Sequence, residues 1–317
     1  MLIQGNTVDD LLKKVFKEIL DNGTEVEPTK GKTIEISGVL LKLTNPLGRL
    51  SRTEGKGTIF SCLGELLWYL SGSNRLDQIQ YYIQDYHQYS DDGKTIFGAY
   101  GPKLFGPEGQ VSIIIQAIQR GDSTRKAVVQ LFSSSDIKAP HKDIPCTCTL
   151  QFLVREGKLS LYTTMRSNDA YKGLPHDIFS FTMLQELVAR KLGLPMGEYG
   201  HYVTSLHIYV KDLDKIERFQ NEGWQEKVSM PPMPDGDQTG NVLMLLKHER
   251  ELRQLNTRIS DMHVDDYWRD LSILLEVFNL VKCKNLAPLK SIDQSIKNVE
   301  LRRFATRKIM LAQGNGA

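Results

Sequence analysis

Apolar and polar positions along the chain alternate with two different periods. Near the start, Val8, Leu11, Leu12, Val15, Phe16, Ile19 and Leu20 recur at three- and four-residue spacing, which predicts an amphipathic helix over residues 7–21. An extended stretch, GKTIEISGVLLKLTNP, follows, and helical patterns return near 58–71, over 74–89 and over 107–120. Strand-like alternation marks residues 126–132, and again 147–154 and 158–165, where Glu156-Gly157 supplies the turn of a hairpin. A helix over 178–192 and a strand over 200–206 complete a core of mixed elements. Beyond it a Pro/Gly-rich connector, SMPPMPDGDQTGN, leads to helical segments near 240–256, 262–280 and 291–312. This order predicts an α+β (loosely α/β) fold in two parts: a core domain over residues 1–222, and a helical extension over 223–317 packed on it.

Chemistry concentrates in residues 145–179, PCTCTLQFLVREGKLSLYTTMRSNDAYKGLPHDIF. The hairpin places Cys146 at the open end of one strand and Arg166 at the end of the other, so a guanidinium can sit beside the sulfur and favour the thiolate, the form that attacks carbon. A free cysteine is also often an inert core residue, and spacing alone leaves both readings open.

The segment resembles the thymidylate synthase superfamily, whose members join a folate one-carbon unit to C5 of a pyrimidine nucleotide. The resemblance rests on Pro145-Cys146, Gln151-Phe152, Gly157-Lys158-Leu159, Arg166-Ser167-x-Asp169, Gly173-Leu174-Pro175 and Leu206-His207-Ile208-Tyr209. Upstream, Glu65-Leu66-Leu67-Trp68-Tyr69-Leu70 and Gly98-x-Tyr100-Gly101 fit in the same order, so the likeness runs from about residue 35 to about 215. It implies a thymidylate synthase-like mixed sheet with flanking helices. It also implies Cys146 as the nucleophile that adds to C6, Arg166 as its activator and a phosphate ligand, Glu65 as general acid/base, and Tyr100 as an aid to proton removal from C5. Gln151, Ser167, Asn168, Asp169, His207 and Tyr209 are implied substrate ligands, the last two at the sugar hydroxyl. Arg49 and Arg52 resemble a mobile phosphate-binding loop. Arg125, with Lys126 in place of a second arginine, resembles a pair that reaches the phosphate from a partner subunit, which implies a homodimer. The cosubstrate implied is 5,10-methylenetetrahydrofolate, with Tyr86, Tyr89, Asp169 and Gly173 facing it.

Three departures bear on the reaction. Asp177 stands where the synthases carry an asparagine that reads uracil. A carboxyl can take the 4-amino hydrogen of cytosine and share a proton with N3, which points to dCMP or CMP and resembles the deoxycytidylate hydroxymethylases. Asp177 would equally serve as the cap of a helix over 178–192. Tyr86 and Tyr89 occupy the spacing of tryptophans that shield the exocyclic methylene from water, so the product expected is 5-hydroxymethyl. Thr147 replaces the usual histidine after the nucleophile. The alternatives are reductive methylation of dUMP or dCMP, and a nucleotide-binding protein without turnover.

Composition adds limits. A formal net charge of +2 over 317 residues carries no nucleic-acid footprint, and the four cysteines, Cys62, Cys146, Cys148 and Cys283, match neither a disulfide framework nor a zinc site, so no metal is expected. No apolar run reaches transmembrane length, and a soluble cytoplasmic protein is expected.

Overall fold

The computed structural model describes residues 1–51, 53, 58–107, 109–223, 226–255, 264–285 and 287–314. The chain divides into two compact units, Met1–Ser229 and Met230–Ala317.

The first unit is built on one sheet. Strand β1 (Leu2–Gly5) leads into helix α1 (Val8–Asn22), then β2 (Thr24–Val26) and β3 (Thr33–Leu43). Helix α1 begins at a capping box, in which Thr7 Oγ1 accepts from the Asp10 amide and the Asp10 carboxylate accepts from the Thr7 amide, each at 3.2 Å. Its buried stripe is the one read from the sequence except for Leu20, which is 43% exposed. Burying each of those large side chains contributes about 1.5–3 kcal/mol, which outweighs the helix's modest intrinsic propensity. Next come α2 (Ile59–Leu70), α3 (Leu76–Tyr82), a 3-10 segment (Gln84–Tyr89), α4 (Gly101–Phe105), α5 (Gln110–Arg120) and β4 (Val128–Gln130). The helix expected over 74–89 is therefore two pieces, broken where Ile83 takes an extended backbone. Then follow β5 (Thr147–Arg155), β6 (Lys158–Asp169), α6 (Gly173–Leu192), β7 (Met196–Tyr209) and α7 (Leu213–Asn221).

The strand order is β1-β3-β7-β6-β5-β4, with β2 paired to β3. Pairs β1/β3 and β6/β7 run parallel and the others antiparallel, giving the mixed sheet expected. The hairpin turn is tight because Glu156 and Gly157 both take positive φ, 53° and 70°, which matches the twist of the flanking strands. Helix α6 starts at Gly173, five residues before its expected start, because Pro175 falls in the first turn, where a missing N–H costs nothing. Asp177 thus lies inside the helix, and the capping alternative is set aside. Helix α2 is buried on nearly every side and packs on α6, so its polar residues face a neighbouring element rather than solvent.

The unit extends past residue 222, where the following segment is tied to α1 and to the loop after β3: Lys227 pairs with Asp10 at 3.2 Å and Ser229 Oγ accepts from Asn45 at 2.8 Å.

The second unit holds α8 (Thr239–Leu255), α9 (Asp266–Lys282), the short α10 (Leu289–Ile292) and α11 (Val299–Ala312). Helix α9 contributes buried Trp268, Leu271, Leu274 and Val277, and Trp268 donates to Gln238 at 2.8 Å. Asp270 fixes the entry to α11 by accepting from the amides of Lys297 and Asn298 at 2.8 Å each. No helix among the described residues is long and apolar enough to cross a membrane.

Candidate active site

The open end of the β5/β6 hairpin sets the nucleophile. The Arg166 amide donates to the Cys146 carbonyl at 3.0 Å, so the two residues are bound across the strand ends. The guanidinium is then aimed by two further carbonyls, with Nε on Pro145 O at 3.0 Å and Nη2 on Ile144 O at 3.2 Å, leaving Nη2 3.6 Å from Cys146 Sγ. Burial pushes the thiol up to about 11, and Arg166 is the main influence drawing it down. The arginine acts in the expected direction, but burial outweighs it. Asp143, which sequence reasoning missed, stands in the same environment, its carboxyl raised to about 6 by burial. Gly98 of the Gly-x-Tyr-Gly motif lets it approach, since a Cβ there would collide with the Asp143 carboxylate.

Tyr100 meets this end from α4. Its hydroxyl oxygen accepts from Thr147 N at 3.1 Å and Thr147 Oγ1 at 3.0 Å. Both lone pairs are occupied, so the phenolic proton is the one directed elsewhere. Thr147, the departure noted after the nucleophile, thereby orients Tyr100.

Helices α2 and α6 face each other across a second polar cluster. Glu65 Oε1 accepts from Tyr69 at 3.0 Å and from Tyr86 at 2.7 Å, and Glu65 Oε2 lies 2.7 Å from His176 Nδ1. His176 Nε2 lies 3.2 Å from Ser61 Oγ, which itself donates to Thr58 O at 2.9 Å. Burial would raise the Glu65 pKa, but the His176, Tyr86 and Tyr69 contacts more than offset it and the carboxyl sits below its usual range. Burial opposes charge on His176, yet the Cys62 sulfur and Glu65 hold its pKa well above the usual value. The spacing of Ser61, Glu65 and Tyr69 at one-turn intervals puts all three on one face of α2.

Asp177 is one residue further along α6. Its Oδ2 accepts from Asn168 Nδ2 at 3.0 Å, and Asn168 in turn lies 3.1 Å from His201 Nε2. Burial and the Glu65 charge push the Asp177 carboxyl up to about 8, and Asn168 only partly opposes them. Burial also drives His201 down to about 3, so it stays neutral.

The remaining residues fall into three groups. Near Cys146, Tyr89 and Tyr86 meet edge to face with centroids 5.7 Å apart, and Lys30 Nζ lies 4.4 Å from the Tyr89 ring centroid. Tyr209 feels both the Tyr89 hydroxyl and the Cys146 sulfur, is raised to about 12 chiefly by burial, and packs edge to face on His207 at 5.3 Å. Lys30 was not singled out from the sequence; its electrostatic reach to Cys146 and Asp143 makes it a cation of this site.

Supporting residues come second. Asp169 uses Oδ1 to accept from the amides of Tyr171 and Lys172 at 2.8 and 3.0 Å, Ser167 is half-buried opposite Ser205, and Gly173 leaves only 3.0 Å between a would-be Cβ and Asn168 Oδ1. Gln151 Nε2 donates to the Arg125 carbonyl at 3.1 Å, so it holds the loop that carries Arg125 and Lys126. Both of those side chains are exposed, ahead of the edge strand β4, and among the described residues neither makes a hydrogen bond or ion pair with the residues around Cys146.

Arg49 departs from expectation. Its guanidinium donates to Glu186, and both side chains are 0% exposed, so its charge is neutralised within the fold rather than presented to a phosphate. Arg52 lies outside the described residues.

Tyr86 and Tyr89 supply aromatic rings and Asp169 a carboxylate within electrostatic reach of Tyr89, the kinds of group that a flat heterocycle with polar edges, such as a folate's, would use. Among the described residues no group of three or more His, Cys, Asp or Glu is arranged to hold a metal.

The mixed sheet ends in a half-buried thiol beside a fixed guanidinium, and helices α2 and α6 hold a paired carboxylate, groups of the kind that covalent nucleophilic chemistry uses. The family model described as thymidylate synthase matches residues 11–278, and the chain belongs to the thymidylate synthase family. It is 30% identical over 224 residues to the deoxyuridylate hydroxymethyltransferase of Bacillus phage SP01, an alignment covering 66% of this chain and 58% of that protein. It is also 30% identical over 208 residues to the deoxyuridylate hydroxymethyltransferase of Delftia phage PhiW-14, covering 61% of this chain and again 58% of the relative. The chain thus spans less than two thirds of the length of these relatives.

Proposed function

We propose that the chain is a folate-dependent one-carbon transferase that places a hydroxymethyl group on C5 of a pyrimidine nucleoside monophosphate, with dCMP or CMP as substrate. Family membership and the names of the two phage relatives support the reaction class. The observation that carries the hydroxymethyl outcome is the Tyr86 hydroxyl on Glu65 at 2.7 Å. It makes the wall beside the reacting carbon polar and able to hold a water, where an indole wall would exclude one.

Each residue then has a task. Cys146 adds to C6 and makes C5 nucleophilic, and Arg166 stabilises the thiolate while meeting the phosphate. Lys30 and, in a homodimer, Arg125 and Lys126 of a second copy supply the further positive charge a phosphate needs. Tyr100, its lone pairs taken by Thr147, is left with its O–H as a donor, able to orient a water that receives the C5 proton. His207 and Tyr209 meet the sugar. The methylene donor supplies carbon at the oxidation level of formaldehyde, held against Tyr86, Tyr89 and Asp169.

Asp177 reads the base. With its pKa near 8 the carboxyl keeps its proton at neutral pH and presents one donor and one acceptor. Cytosine matches this with N3 and the 4-amino group, and N3 is a stronger proton acceptor than a carbonyl oxygen. A second reading, uracil in dUMP, is favoured by the phage relatives' names, because a protonated carboxyl also matches O4 and N3–H.

The test is the fate of the folate. Turnover that leaves tetrahydrofolate supports hydroxymethylation. Stoichiometric dihydrofolate would show that hydride reached the methylene, and reductive methylation would replace this reading.

A further inference from the structure

His176 has hydrogen-bond partners that determine its protonation state. The Ser61 hydroxyl has one proton and gives it to Thr58 O, so toward His176 it can only accept, and Nε2 must carry hydrogen. On the other side Nδ1 faces a Glu65 oxygen at 2.7 Å, an acceptor when the carboxylate is ionised. Tyr69 and Tyr86 donate to the other Glu65 oxygen, which favours that ionised form. Both ring nitrogens therefore donate, and the ring is an imidazolium. The groups around it are Ser61, Cys62 and Glu65 from α2, Tyr86 from the 3-10 segment through Glu65, and Asp177 on its own helix.

We propose that His176 is a positioning residue and the proton reservoir of Glu65, supplying to Glu65 Oε2 the proton that Glu65 passes to the nucleotide. The inference rests on the reading of the site given above. When Cys146 Sγ bonds to C6, the C5–C6 π pair moves through C4 onto the ring edge, to N3 of a cytosine or O4 of a uracil, and that atom gains an electron pair that a proton must neutralise. His176 gives its Nδ1 proton to the ionised Glu65 and Glu65 passes a proton on to that atom, so the pair ends as a carboxylate and a neutral imidazole still donating to Ser61. When the sulfur departs, that ring atom returns its proton through Glu65 to His176 Nδ1, so the cycle closes with no other reactant. Placing the reservoir on α6, next to Asp177, couples the group that reads the base to the group that supplies the proton.

Two measurements on the full chain test this. In histidine-labelled protein, nitrogen NMR should show one ring signal, absent in H176N, that is doubly protonated at neutral pH and titrates well above a free histidine. It should titrate lower in S61A, and lower still in E65Q. A singly protonated ring at neutral pH in the wild type overturns the proposal, whatever the activity. The second measurement is exchange of C5 tritium from nucleotide without folate, which reads sulfur addition alone. H176N should exchange about 100-fold more slowly with nucleotide affinity within about threefold of wild type, and its pH profile should lose the alkaline limb set by His176. An unchanged rate and profile overturns the reservoir. Wild-type protein that exchanges tritium from no pyrimidine monophosphate, while His176 is doubly protonated, overturns the proposed function instead and the proton path with it.

Discussion

Glu65 and Asp177 are two carboxyls on facing helices, and burial pushes both toward neutrality, yet they end in opposite states. Glu65 receives two phenolic hydrogen bonds and an imidazolium and stays ionised. Asp177 receives a single amide hydrogen bond from Asn168, feels the charge of Glu65, and keeps its proton until about pH 8. The number of donors, rather than depth, separates them. In the function proposed, one carries the proton and the other reads the base with both a donor and an acceptor. Two titratable groups driven apart by their surroundings are the usual basis for dividing acid and base roles within one site.

The comparison can be broken by removing what both groups serve. Cys146→Ala should reduce C5 tritium release to background with every nucleotide, while nucleotide binding persists by calorimetry; residual turnover would mean that no covalent adduct is needed. Glu65→Gln should lower kcat by about 10²–10⁴, the range for a lost general acid/base, with a smaller change in KM. Asp177→Asn should shift the ratio of kcat/KM for cytosine over uracil nucleotides toward uracil by about 10²-fold, as buried polar groups are left mismatched. An unchanged ratio in competition assays would remove Asp177 as base reader. Tyr86→Phe should cost Glu65 one donor, reduce kcat by about tenfold, and raise the Glu65 pKa in a carboxyl-carbon NMR titration.

Stability should follow the same division. Asp177 has a folded pKa above its unfolded value, so its contribution is complete below about pH 4 and is lost as pH rises through about 8. Glu65, with a lowered pKa, contributes above about pH 4.5 and loses that contribution as pH falls through its folded value. Thermal melts of Asp177→Asn should therefore gain on wild type as pH rises from about 5 to about 8.5. A constant difference across that interval would contradict the buried, protonated carboxyl.

The two halves of the site differ in how far they could be read from the chain. The Cys146/Arg166 end is local: a period-two pattern and a two-residue turn bring residues 146 and 166 together without any other element. The Glu65 cluster is not local, since its parts come from α2, α6 and the 3-10 segment, and nothing about His176 in isolation marks it as the partner of a residue 111 positions earlier. Its only signal was its place beside Asp177. Lys30, in a Lys-Gly-Lys loop, and Asp143, three residues before the nucleophile, carry signals of similar weakness. Arg49 was expected at the phosphate only through its resemblance to a mobile arginine loop, and nothing in the sequence near it announces Glu186, the partner that the fold supplies. The start of α6 was missed because Gly173 and Pro175 are breakers in mid-helix yet acceptable in a first turn.

The most direct test is to incubate the full chain with methylenetetrahydrofolate and C5-tritiated dCMP, CMP or dUMP, measuring tritium release and the mass of the nucleotide product. The expected result is release from a cytosine nucleotide with a gain of one CH2O in mass. Release from dUMP alone, with gain of a methyl group, would contradict both the base reading by Asp177 and the polar wall at Tyr86.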